Sequence, residues 1–230
     1  MALDLPGHGA SADAKDPQAT YCLPGYAELV AAFVKKLDID NAVIVGWSLG
    51  GHIALEVSKL LPDLAGMMIF GTPPAGKPIA ADAFSPNPLM PLIFKNTLSS
   101  DEAVAVTNGF FKPGSQIPAF FSEDMTRTDG RAREALWLSV GEENYEDEVA
   151  IVATLNKPLA IIHGEKDPLV SLPYIKGLSI PTLWRDEIQI IPDVGHTPQW
   201  EQTEKFNNLL IAFITDCTGV KLLYKSASSG

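Results

Sequence analysis

The chain has 230 residues, 46% hydrophobic and 20% charged, which is the composition of an ordinary globular protein with room for a substantial core. A net charge of −11 argues against nucleic acid or an anionic membrane as a partner. Two cysteines, Cys22 and Cys217, make neither a disulfide framework nor a metal set, and read as reduced thiols of a cytoplasmic protein.

No apolar run approaches the ~18 residues that span a bilayer, and the N-terminus lacks the basic and apolar regions of a signal peptide. In chain order, "MALDLPGHGAS" opens apolar and enters a Pro-Gly turn, which predicts the end of a buried strand at residues 2–5. Residues 26–37 carry apolar positions at helical spacing. "AVIVG" (42–46) is short, β-branched and wholly apolar, as a strand covered on both faces should be. "HIALEVSKLLP" (52–62) predicts a helix stopped by Pro62. Further buried strands are predicted in 66–74, 158–168 and 187–196, and an amphipathic helix over 199–216.

Strands alternating with helices predict an α/β fold with a mostly parallel sheet. Residues 75–157 hold no strand pattern but contain helical stretches at 130–140 and 146–155, behind an irregular proline-rich start. A connection of that length carries its own structure, so it is expected to be an inserted helical cap. The core is then 1–74 with 158–220, and 221–230 is a disordered tail.

"GWSLGG" (46–51) contains Gly-x-Ser-x-Gly, a pattern that occurs by chance in roughly one chain in ten of this length. Its position between a buried strand and a helix gives it a mechanism. Gly46 and Gly50 allow a tight turn that lifts the Ser48 hydroxyl above the sheet and leaves the Leu49 N–H to hold an oxyanion. A serine needs a base held by a third group. Asp167 and His196 follow the next predicted strands, at the ends where an open parallel sheet collects its site, and in the chain order Ser, Asp, His. Glu165 is the competing acid. His163, His52 and His8 read as structural, the last bonded within its own turn. No cluster has metal-ligand spacing, so the mechanism is expected to need no metal or cofactor.

Together "DLPGHG", "GWSLGGH", "HGEKDP" and "GH" (195–196) resemble the α/β-hydrolase superfamily. "GWSLGGH", "GTPP" (71–74), "RTDGRAR" (127–133) and "FITDCT" (213–218) resemble, within it, the metal-independent N-acyl-homoserine lactone lactonases. That resemblance implies a serine opening the lactone ring through an acyl-enzyme, a reaction that quenches quorum signals. It also implies an acid, Glu in that family, at the position of Asp167. The family carries three strands and a His-Gly oxyanion loop ahead of "DLPGHG". The sheet is therefore expected to lack its first three strands and one oxyanion donor, with residues 2–5 either pairing with 42–46 or leaving that edge open. Trp47, Phe110, Phe111, Phe120 and Trp137 are candidates to line the acyl pocket, with Phe121 beside them. The stretch from Arg127 to Arg133 reads as a helix start with structural ion pairs rather than an anion site. A general carboxylesterase on small acyl esters, or a catalytically impaired truncated form, are the alternative functions. The expected partner is a small acyl ester or lactone.

Overall fold

A computed structural model describes residues 1–220 of the chain. Four strands form one parallel sheet in the order β1-β2-β3-β4. They are β1 (Val43–Trp47), β2 (Gly66–Phe70), β3 (Leu159–Gly164) and β4 (Gln189–Ile191). Every residue of β2 and β3 is buried, which accounts for their unbroken apolar runs. The period of two divides their side chains between two cores. Met67, Ile69, Leu159 and Ile161 join the cluster that includes Tyr26 and Leu55. Met68, Phe70, Ala160 and Ile162 join the one built on Trp184, Phe206 and Phe213.

The first face is covered by α2 (Leu23–Lys36) and α3 (Leu49–Leu60), which also pack on each other. α2 begins earlier than the periodicity suggests because Cys22 caps it, its Sγ accepting from Gly25 N–H at 3.4 Å, and a proline occupies its first turn. A short α1 (Pro17–Thr20) precedes it. α3 ends at Leu60, with Leu61 as its C-cap immediately before Pro62, where the sequence predicts the stop.

Between β2 and β3 run α4 (Met90–Ile93), α5 (Ser100–Asn108), α6 (Phe120–Arg127), α7 (Gly130–Gly141) and α8 (Glu148–Thr154). Each of α5, α7 and α8 starts on a capping side chain: Ser99 in a full capping box, Asp129 and Asp147. The stretch before α4 is irregular, as its prolines suggest. α9 (Leu172–Gly177) and a 3₁₀ turn (Trp184–Asp186) lead into β4. The expected helix over 199–216 is two: α10 (Pro198–Glu201) and α11 (Thr203–Thr218), separated at Gln202, whose φ of −138° and ψ of 56° fall outside the helical region. α11 covers the second face of the sheet through Phe206 and Phe213. Among the described residues, no helix is long and apolar enough to cross a membrane.

Residues 2–5 do not form the predicted buried strand. They carry no ladder, and residues 1–4 are exposed. The reason is local: Asp4 spends its hydrogen bonds on its own turn, Oδ2 accepting from Ala10 N–H at 2.8 Å and its carbonyl from Ser11 Oγ at 2.6 Å. β1 is consequently an edge strand in the described residues, with Val45 40% exposed. The tail expected at 221–230 lies outside the described residues.

Phe213 is fully buried between α11 and the sheet. Phe213→Ala should cost about 3–5 kcal/mol, read as a lowered midpoint with an unchanged slope in urea unfolding.

Candidate active site

The site is assembled where β1, β2 and β3 end. Ser48 follows β1 with φ 51° and ψ −117°, a conformation an L-residue holds only when its surroundings impose it. Its N–H donates to Phe70 O at 2.9 Å, and its carbonyl accepts from Thr72 Oγ1 at 2.9 Å. A Cβ on Gly46 would stand 2.1 Å from Gly50 O, and one on Gly51 2.1 Å from Thr72 Oγ1, so the strand, the turn and α3 meet only because those positions lack side chains. Nothing crowds Gly50. The Ser48 hydroxyl makes no capping bond, and Leu49, the first residue of α3, has an N–H with no partner inside the helix.

Asp167 lies in the turn after β3, its N–H donating to Gly164 O at 2.9 Å. Oδ1 accepts from the N–H groups of Leu169 (2.9 Å) and Val170 (3.1 Å), which aims Oδ2 at His196 Nδ1, 2.9 Å away. Both side chains are buried, 2% and 1% exposed for His196 and Asp167. Burial alone would raise the Asp167 carboxyl, but the hydrogen bond and proximity of His196, with the Leu169 N–H, hold it below the ordinary carboxylate value. The imidazole lies over Gly71, whose added Cβ would come 2.7 Å from its Cε1, and packs against both Trp47 and Phe110, with ring centroids 5.7 and 5.6 Å away. Its Nε2 is buried without a hydrogen-bond partner. Phe70 O thus holds the Ser48 backbone, and the next residue, Gly71, lies against the imidazole ring.

A model of the alpha/beta hydrolase family matches residues 1–209. The chain belongs to the alpha/beta hydrolase family. Its similarity extends over 94% of this chain and 79% of a variant of N-acyl homoserine lactonase AidH complexed with N-hexanoyl homoserine lactone, at 34% identity and a TM-score of 0.90. A 2-hydroxy-6-oxononadienedioate/2-hydroxy-6-oxononatrienedioate hydrolase of a Pseudomonas species is 26% identical over 229 residues, covering 93% of this chain and 76% of that protein. The acetyltransferase component of the acetoin cleaving system of Pseudomonas putida is 27% identical over 223 residues, and there the match covers 93% of this chain but only 55% of the relative.

Within this hydrolase the other sequence candidates separate. Glu165 turns away from the imidazole and accepts from Asp193 N–H at 3.0 Å, with its side chain 48% exposed. His163 is buried, and burial holds its imidazole below the ordinary value. His8 Nδ1 lies 3.1 Å from Pro6 O, inside its own turn. Trp47 and Phe110 stand against His196. Phe111 is buried edge-on to Phe121 at 5.1 Å, and Phe120 stacks on Phe121 at 4.5 Å. Trp137 packs on Phe94 at 4.8 Å and is 55% exposed, with no described contact to Ser48 or His196. Trp200, not singled out in the sequence, joins Phe120 and Phe121, each at 5.4 Å. Its signal was its place in the first helical turn after His196.

The arginine-rich motif is structural. Arg133 donates to the carbonyls of Lys95, Asn96 and Met125, each at 2.9 Å, and Arg127 pairs with Asp124 at 2.7 Å. Asp129 accepts from Tyr21 OH at 2.7 Å, and its N–H donates to Gly7 O at 2.8 Å, tying α7 to the "PGHG" turn. The hydrogen bond from Arg131, outweighing partial burial, holds the Asp129 carboxyl down to about 2.

One buried network had no sequence signal. His52, one turn into α3, sets Nδ1 2.8 Å from Oε2 of the fully buried Glu148, which also accepts from Ala75 N–H at 2.7 Å. Burial pulls the His52 imidazole down, but Glu148 and Glu56 outweigh it and raise it. Glu56 accepts from Glu146 N–H at 2.9 Å. Burial, helped by Glu148 and Glu146, pushes the Glu56 carboxyl from 4.5 up to about 7, against that hydrogen bond and His52. The raised histidine stabilises the fold below its unfolded value near 6.5, and this is lost as pH rises through its folded value. The raised carboxyl adds a penalty that grows from 4.5 to about 7 and stays above it. Glu56→Gln removes that penalty. The variant should gain up to about 3 kcal/mol over the parent at high pH and nothing at acid pH, measured by urea unfolding across the range.

Proposed function

We propose that this hydrolase opens the lactone ring of N-acyl-homoserine lactones through an acyl-enzyme on Ser48. The observation that carries the reading is the Asp167–His196 pair with an unpartnered, buried Nε2 beside a serine held in a strained turn. The 34% identity to a lactonase supports this choice of substrate.

In this mechanism His196 Nε2 takes the proton as Ser48 Oγ attacks the lactone carbonyl. The Nδ1–H donates to Asp167, which fixes the tautomer and stabilises the imidazolium. The Leu49 N–H holds the negative charge on the carbonyl oxygen. The tetrahedral intermediate collapses by breaking the ring C–O bond, and His196 returns its proton to the departing alkoxide. The acyl-enzyme is then a Ser48 ester of an N-acyl-homoserine with a free hydroxyl. Water, deprotonated by His196, releases N-acyl-homoserine and restores Ser48. Such a reaction silences acyl-lactone signals.

Residues 75–157 serve in this reading as the cap over Ser48. Phe110 and Trp47 are placed to hold the acyl chain next to the base, and Phe120, Phe121 and Trp200 to extend an apolar surface from it.

The test starts with intact-mass detection of fluorophosphonate labelling, which should vanish in Ser48→Ala. Ring opening of N-hexanoyl homoserine lactone, followed by chromatography of the acid product, should fall by on the order of 10⁴ in Asp167→Asn, whose amide supports the wrong tautomer. Labelling with a marked preference for p-nitrophenyl esters over the lactone would move the assignment to a general carboxylesterase. A folded chain that takes no label would overturn the serine mechanism.

A further inference from the structure

We propose that Glu201 is a positioning residue for His196, and that through it the loop bearing the base is held in register with residues 110–115 of the β2–β3 connection. This rests on the assignment of His196 as the base.

The two carboxylate oxygens of Glu201 divide between two segments. Oε1 accepts from Gly195 N–H at 2.8 Å and from Thr197 Oγ1 at 2.9 Å, the residues on either side of His196. Oε2 accepts from Lys112 N–H and from Ser115 Oγ, each at 3.2 Å. His196 itself donates its N–H to Phe110 O at 2.7 Å, while its carbonyl accepts from Trp47 Nε1 at 2.8 Å. Three successive residues of the loop are therefore held from outside it, two by one side chain. No ion pair neutralises Glu201 among the described residues; its recorded partners are main-chain N–H groups and hydroxyls. Carboxylate oxygens accept several such donors at once, which an amide or a shorter side chain cannot reproduce on both segments.

The packing leaves little slack. A Cβ on Gly195 would stand 2.7 Å from Lys112 N, 2.8 Å from Phe110 O and 2.9 Å from Glu201 Oε1, so loop, connection and carboxylate already touch. The Phe110 ring lies on the imidazole that its own carbonyl helps to anchor. Loss of the Glu201 bridge frees both segments together, and Nε2 no longer points where Ser48 needs it. A displacement near 1 Å at a reacting group costs on the order of 100-fold in rate.

The experiment uses the full chain with Glu201→Ala, Glu201→Gln and Glu201→Asp, each checked for folding by thermal unfolding. The first readout is the rate constant for fluorophosphonate labelling of Ser48 as a function of pH, which does not depend on the natural substrate. The second is the downfield imidazole Nδ1 proton of His196 in the NMR spectrum, assigned by its loss in Asp167→Asn. We expect labelling of the folded Ala and Gln variants to drop by ten-fold or more, on the order of the loss that a displaced base causes. The downfield proton should broaden or vanish in both, with partial recovery in Glu201→Asp. A role confined to stability would lower the melting temperature while leaving both readouts at parent values below it, and that result overturns the proposal. If the parent itself takes no label, the serine mechanism fails. The downfield proton then still decides whether Glu201 holds His196 against Asp167.

Discussion

The rest of the site depends on one constraint, the backbone of Ser48. The β1–β2 register pairs Gly46 with Ile69 and Trp47 with Phe70, and the Ser48 N–H bonds Phe70 O. Holding a serine at φ 51° and ψ −117° costs on the order of 1–3 kcal/mol. The structure over-determines it by the pairing of β1, by the Thr72 hydroxyl on its carbonyl, and by the bare backbones of Gly46 and Gly51 beneath it. Thr72 is the hinge of this arrangement, because its hydroxyl also bonds Phe70 O and so joins the exits of two adjacent strands.

Among the described residues two carboxylate–imidazole pairs are buried, Asp167–His196 and Glu148–His52, and their surroundings differ. Asp167 is held by main-chain N–H groups as well as by His196, which keeps it charged and directs one oxygen at the imidazole. Glu148 is held by Ala75 N–H and His52, and ties the start of α8 to the helix that begins at Ser48. The first pair leaves a buried imidazole nitrogen, His196 Nε2, without a hydrogen-bond partner; the second joins two segments far apart in the chain.

The sheet was legible because its strands and the turn after β1 were encoded locally. Unbroken apolar runs marked β2 and β3, and glycines around Ser48 marked the turn. An acid and a histidine following two later strands took their places by topology alone. Residues 2–5 misled because apolar character without a partner does not make a strand, and Asp4 offered its turn a better set of hydrogen bonds. The break at Gln202 was hidden by a continuous amphipathic pattern. Glu148, Glu56 and Glu201 read as ordinary helix charges, because their partners lie 73 to 96, 90 and up to 89 residues away. Pairings of that separation leave no periodic trace in a single sequence.

Phe110 links the β2–β3 connection to the loop that carries His196. It ends the turn after α5, yet its carbonyl anchors the backbone of His196 and its ring lies on the imidazole. Trp47 does the same from the core, its ring beside the imidazole and its Nε1–H on the carbonyl of His196. The apolar rings beside the imidazole and the hydrogen bonds that hold the backbone of His196 therefore come from the same two residues. A substitution that changes the ring of residue 110 leaves its backbone carbonyl in place, so the packing beside the imidazole can vary while the main-chain bond to His196 is kept.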